Sequence, residues 1–423
     1  MKGKSMSEYD PESDFRIDWD ENAEGGVVIA KYIGSKKEVR IPPNIQNFPV
    51  TGIGDDAFAD NKNITDITIP NGVTSIGFFA FSDCTCLNSI TIPNSVAKIG
   101  YAVFEDCTSL TAINVDSDNT AYSSDNGVLF NKTKTSLIKY PAGKTGSSFD
   151  IPNGVTSIEE HSFYCCASLT CITIPDSVNC IGERAFSGCA GLAGVTIPGG
   201  VTSIGSTAFS GCFNLTAINV AADNNAYTAV DDVLYNKDKT SLHTYPAGKT
   251  SSTFIIPDSV TTIGEHAFYY CACLTDIAIP KGVTSIGEWA FSGCAGLTSI
   301  DLPDCIIGIG NGVFADCINL TSVNIPNSVT GIGFLAFANC SSLTGITIPD
   351  SVTSIKFHAF DRCANLTSVT FQGTISSDNF DKTAFSNTQS EIKSNDLPEK
   401  YFSDSGGTGT YIRFPEGKIW RKQ

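Results

Sequence analysis

Cys84-Thr-Cys-Leu-Asn-Ser-Ile-Thr-Ile-Pro93-Asn-Ser-Val-Ala-Lys-Ile-Gly100-Tyr-Ala-Val-Phe104-Glu-Asp106 is one period of a pattern that fills most of the chain. The pattern reads C-x-x-L-x-x-I-x-I-P-x-x-V-x-x-I-G-x-x-A-F-x-x. Its phenylalanine recurs at Phe58, Phe81, Phe104, Phe163, Phe186, Phe209, Phe268, Phe291, Phe314, Phe337 and Phe360. Successive steps are 23 residues long, except for two of 59. A fixed period of this size means stacked coils, each burying its apolar face against its neighbours.

Each slot has a physical reading. The I-x-I segment, as in Ile67-Thr-Ile69 and Ile346-Thr-Ile348, alternates β-branched residues and predicts a short strand with one buried face. The proline ends that strand because it cannot donate to a ladder. Strands at the same place in successive coils stack as a parallel sheet. Val and Ile, three apart, turn inward on the return path. The glycine after them, as at Gly77, Gly100 and Gly182, points to positive φ or to close backbone approach. Glu159 and Lys356 hold the same slot, so positive φ is not obligatory there. The phenylalanines form an interior ladder. The expected fold is a β-rich leucine-rich repeat solenoid of about eleven coils. It has a parallel concave sheet, a convex side of turns and short strands, two hairpin insertions and a cap at each end.

These slots resemble the BspA-like, or Treponema-type, leucine-rich repeat over roughly residues 37–371. A proline closes the strand, and the Asn/Cys slot of the general leucine-rich consensus is absent. The stretch Ile41-Pro-Pro-Asn-Ile-Gln-Asn-Phe-Pro-Val-Thr-Gly-Ile-Gly54 carries five extra residues, similar to the first coil of that family. The resemblance implies non-catalytic recognition of proteins or cell surfaces, with a link to adhesion.

The chain has 423 residues, with 27 Lys+Arg against 44 Asp+Glu, a net charge of −17. Such a balance repels phosphate backbones and argues against nucleic acid as a partner. Part of the excess crowds the start, from Glu8 through Asp10, Glu12 and Asp14 to Glu24. Residues 1–14 read as a solvated acidic arm. No apolar run is long enough to span a membrane. The first residues lack the apolar core of a secretory leader, so the chain as given reads as cytoplasmic, whereas the family resemblance points to the surface.

Ten of sixteen cysteines fall three residues after the ladder phenylalanine, from Cys84 to Cys363, and Asn61 takes that slot in the first coil. A slot that accepts Asn is read as a buried position that hydrogen-bonds backbone, not as a disulfide or zinc framework. His161, His266 and His358 share one register two residues before the ladder. That register also takes Asp56, Arg184 and Trp289, so it is expected to be exposed. At about 4.8 Å per coil the three histidines lie roughly 15–20 Å apart and share no metal. No catalytic constellation stands out. The chain is read as a non-enzyme with no cofactor and no metal; a hydrolase or metal enzyme is the remote alternative.

Partner contact has two candidate locations. The outward strand rows, such as Thr68, Thr91 and Thr173, are small and lack the Trp, Tyr or Arg anchors of strong interfaces. The two long steps each add 36 residues, near copies 105 positions apart. Gly127-Val-Leu-Phe130 and Leu137-Ile-Lys-Tyr140 flank a polar turn and predict a hairpin. Ile138-Lys-Tyr-Pro141 also matches I-x-I-P, so its strand is expected to join the main sheet. The insertions span about 116–150 and 221–255 and carry lysines and tyrosines on an acidic chain. Lys132, Lys134, Lys139, Tyr140, Lys237, Lys239 and Tyr245 are the candidate contacts. The expected divisions are an N-terminal cap over 15–40, the solenoid over 41–371 and a C-terminal cap over 372–423. The expected partner is a protein or a host or cell-surface ligand, met by a monomer; an intracellular scaffold is the alternative.

Overall fold

A computed structural model describes residues 9–21, 25–386, 396–404, 406–414 and 419–423. Residues 1–8 and Glu24 lie outside the described residues, whereas Asp10, expected in a solvated arm, is buried and its carboxylate accepts from Lys36 Nζ at 2.6 Å and the Arg40 amide at 3.2 Å. The chain forms two compact units: Met1–Leu192 with Pro198–Cys212, and Ala193–Ile197 with Phe213–Gln423.

The first unit is a β-solenoid. Its front strands Glu38–Arg40, Asp66–Thr68, Ser89–Ile92 and Ala112–Val115 pair in parallel, with Ile67 opposite Ile90 and Ile90 opposite Ile113. The isoleucines are buried while Thr68 and Thr91 face out, as the period-2 alternation requires. A second sheet on the return path joins Phe48–Ile53, Ser75–Ile76 and Lys98–Ile99. The five extra residues of the first coil make a small hairpin, Asn44–Ile45 against Phe48–Ile53, with Gln46 and Asn47 at φ 53° and 67°. Phe15–Trp19 and Val27–Tyr32 form an antiparallel pair laid along Phe48–Ile53, which covers the open sheet edge.

The aromatic ladder runs longer than the phenylalanines. In the first unit it reads Tyr32, Phe58, Phe81 and Phe104, then Tyr140, Phe163, Phe186 and Phe209. Rings stack at 5.0–5.8 Å within each run. In the second unit Tyr245, Phe268, Phe291, Phe314, Phe337, Phe360 and Phe385 stack at 4.6–5.6 Å. The eleven expected coils therefore become eight turns in one unit and seven in the other. Four of those turns carry a ring outside the eleven phenylalanines of the period: Tyr32, Tyr140, Tyr245 and Phe385.

Tyr140 and Tyr245 explain the long steps. Each 36-residue insert is one further 23-residue coil plus a short excursion. Tyr140 lies 23 residues before Phe163 and takes the ladder slot. Ser136–Lys139 pairs in parallel with Ser157–Ile158, placing Leu137 opposite Ile158 on the return sheet. The expectation that Ile138-Lys-Tyr-Pro141 joins the front sheet is thus corrected. That role falls to Ser148–Asp150, which pairs with Cys171–Thr173. The excursion is a three-stranded meander, Tyr122–Asp125, Val128–Asn131 and Ser136–Lys139.

In the second unit the same device is built from Tyr227–Val230, Val233–Asn236 and Ser241–Thr244. The unit closes with Gly409–Phe414 antiparallel to Ser368–Phe371, then Ile419–Lys422, beside the helix Asp396–Ser403. Tyr401 of that helix packs 4.7 Å from Phe371.

The glycine slot works by close approach. A Cβ on Gly77 would sit 2.6 Å from the Asp55 backbone nitrogen, and one on Gly182 would sit 2.5 Å from that of Glu160. Neither glycine has positive φ. The left-handed residues flank the ladder instead. Asp56, Phe79, Ala102, His161, Arg184, His266, Trp289 and His358 precede it at φ 51–56°. These coils turn a sharp corner at a residue that accepts many side chains.

Candidate functional site

The cysteine slot is structural. Cys84 Sγ–H donates to the Phe58 carbonyl at 3.2 Å and Cys107 to Phe81 at 3.1 Å; Cys166 donates to Tyr140 at 3.6 Å. The acceptor is always the ladder residue of the preceding coil. Asn61 Nδ2 donates to Phe58 instead. Burial pushes the Cys84, Cys212, Cys294 and Cys363 thiols up to about 12, which removes them as nucleophiles at neutral pH. The sixteen cysteines are free.

The candidate contacts separate into two groups. Tyr140 and Tyr245 are each 2% exposed and belong to the ladder, so burial removes them from the surface. Lys139 is buried as well, its Nζ donating to the His161 carbonyl at 2.9 Å. Lys132 and Lys237 are exposed and grip their own hairpins: their Nζ groups donate to the carbonyls of Asn119 and Asn224. Lys134 pairs with Asp125 at 2.8 Å near the meander's turn, and Lys239 is exposed at the same place in the second copy. Lys132, Lys134, Lys237 and Lys239 thus stand near the meander turns, whereas the period did not reveal that I-K-Y and H-T-Y are core segments.

Both meanders are anchored at their entry in the same way. Asn119 is fully buried; its Nδ2 donates to the Pro93 and Val96 carbonyls, and its Oδ1 accepts from the Ala121 and Tyr122 amides. Asn224 Oδ1 accepts from Ala226 and Tyr227 in the same way.

Sequence reasoning missed a cavity under the first meander. It holds about 410 Å³ and is bounded by the corner Ile99–Glu105, the meander, and the corner Glu159–His161. Its origin is geometric. In the added coil the corner register falls on Ile138, which continues a strand, so the left-handed corner is missing there. The corners before and after then face one another across the gap. The Tyr101 and His161 rings meet edge to face at 4.9 Å.

His161 was expected to be exposed and is only 2% exposed, because the added coil and Tyr101 cover it. Its Nε2 lies 3.4 Å from the Tyr101 hydroxyl and 3.7 Å from Glu105 Oε1; its Nδ1 has no hydrogen-bond partner. Burial, helped by the charges of Arg184 and Lys139, lowers its pKa to about 4. His161 is thus neutral at pH 7. Burial also raises the Glu105 carboxyl above its ordinary range. Among the described residues no group of three His, Cys, Asp or Glu gathers as metal ligands would. No described helix is long and apolar enough to cross a membrane.

The family described as BspA type leucine rich repeat region (6 copies) matches residues 51–145, 140–251, 247–344 and 331–406. A leucine rich cell surface protein from Faecalibacterium prausnitzii is 36% identical. The match covers 90% of this chain and 97% of that one, at a TM-score of 0.56. A leucine-rich repeat protein from Bacteroides ovatus is 27% identical over 86% of this chain and 88% of its own, at a TM-score of 0.41. No curated protein matches. With the family pattern matched along most of its length and the ladder built as that pattern requires, the chain belongs to the BspA-type leucine-rich repeat family.

Proposed function

We propose that the protein is a non-catalytic recognition scaffold that contacts a protein ligand at a cell surface through the tips of its two meanders. The carrying observation is the pair of meanders whose turns bear exposed Lys132 in one and Lys237 and Lys239 in the other, with Lys134 half-exposed beside Lys132. They are set on a chain of net charge −17. Local positive charge on an acidic background steers and orients an acidic partner patch. The likeness to a leucine rich cell surface protein supports the location. We take residues 15–40 and 372–423 as caps on a repeat region over 41–371, acting as a monomer without cofactor. Exposed free cysteines, Cys86, Cys171, Cys273 and Cys305, favour a second reading: the same scaffold in a reducing compartment.

The test compares binding of labelled chain to intact cells for wild type and for the Lys134→Glu, Lys239→Glu double variant. Both sites are exposed, so folding is unaffected. The expected outcome is a loss of about tenfold in affinity. Equal binding by the two proteins removes the tips from the contact.

A further inference from the structure

We propose that the cavity beneath the first meander receives a basic side chain, arginine above all, from a polypeptide partner, with Glu105 as its counter-charge. This rests on the recognition reading above and adds a second, chemically distinct contact beside the lysine tips.

The cavity is built for a cation on an aliphatic stem. Val103, Phe104, Leu129 and Ile138 supply apolar wall, and Glu105, Glu159 and Glu160 supply carboxylates. Lys139 is the one basic residue of the lining, and its Nζ is tethered to the His161 carbonyl. Arg184 acts on both His161 and Glu105 from outside the lining. The lining therefore carries three negative charges against one tethered positive charge.

Glu105 is the most confined of the three. Its side chain is 14% exposed, and its ion-pair partner in the structure is His161 at 3.7 Å, which is neutral. Among the described residues no lysine or arginine lies within 4 Å of its carboxylate. Its charge is offset only at longer range, by Arg184 and Lys139, and a guanidinium entering the cavity would supply a direct counter-charge with paired donors. Tyr101, 36% exposed, offers an aromatic face on which a guanidinium stacks.

The experiment is isothermal titration calorimetry of the full chain with a capped alanine-arginine-alanine peptide and with its citrulline counterpart, which keeps the shape and loses the charge. Saturable binding of the arginine peptide is expected, at least about tenfold tighter than the citrulline peptide. Glu105→Gln, which keeps the side-chain shape, is expected to lower affinity about tenfold, and Tyr101→Leu, which removes the ring face, a few-fold. Equal affinity for the two peptides overturns the proposal, as does absence of saturable binding or indifference to Glu105→Gln. Agmatine, a free guanidinium, binding tighter than the peptide overturns the assignment to a polypeptide. The probes do not touch the lysine tips. Failure here leaves the tip reading intact, and failure of the double-lysine test leaves this one intact.

Discussion

The two meanders share a backbone and differ in what lies beside it. Both use a buried Asn at the entry, Asn119 and Asn224. In each a lysine ties the turn back, and a ladder tyrosine 23 residues before the next phenylalanine stacks on it at 5.3 Å. The side chains around the first, among them Tyr101, Glu105, Ile138 and Lys139, form a cavity with both apolar and charged lining. The residues 105 positions on are Ser206, Ser210, His243 and Thr244. The framework of an added coil is thus repeated, while the groups that give it chemistry are not. Shared features report folding, and the features unique to one copy are where a specific contact is to be sought.

The sharpest break of this comparison is at the ladder. Tyr140→Ala and Tyr245→Ala are each expected to destabilise their unit by about 3–5 kcal/mol, read as a lower midpoint in urea unfolding. A cost below about 1 kcal/mol at either site would show that the added coil is not part of the core.

Next in size is the response to acid, which belongs to the first copy. The folded His161 pKa of about 4 lies below the ordinary value near 6.5. As pH falls, the unfolded chain takes the proton first. The stability from neutral burial is present above about pH 6.5 and is lost between there and pH 4, on the order of 3 kcal/mol. Glu105, shifted upward, acts in the opposite sense, so the comparison is with His161→Asn. Wild type should lose more stability than this variant between pH 7 and pH 4; parallel losses would exclude His161 as the cause.

The buried asparagines should behave alike. Asn119→Ala and Asn224→Ala each leave buried amide groups unsatisfied and are expected to cost about 2 kcal/mol, with faster amide exchange confined to the adjoining meander. The smallest effect is at the tips. Lys134→Ala breaks an exposed pair with Asp125 and should change stability by less than about 0.5 kcal/mol, as should Lys239→Ala. A larger change would mean that the tips are structural rather than available for contact.

Much of the fold was legible in the sequence because the 23-residue period is enforced by stacking. A residue in the Phe or Cys slot faces the same neighbours in every coil, so its identity hardly varies. Reading Asn61 as the counterpart of the thiols identified a hydrogen-bonding slot, and the thiols do donate to the ladder carbonyls. Legibility failed where the period broke. The I-K-Y-P segment mimics the front-strand motif, yet Tyr140 answers to the ladder spacing, and that spacing governs because a buried ring has only one place to stack. The same error placed Tyr140, Tyr245 and Lys139 on the surface. His161 was misjudged because its register is open in ordinary coils and is closed only where the added coil omits its corner.

The sequence by itself determined the repeat, the parallel stacking, the ladder slots and the family, since these rest on contacts between adjacent coils at a fixed separation. The tertiary structure alone decided that each long step holds a whole coil, that the corner residues are left-handed, and that Tyr101 and His161, 60 positions apart, face one another over a cavity. Those outcomes depend on which segments meet when a corner is missing, and a linear pattern carries no record of a gap.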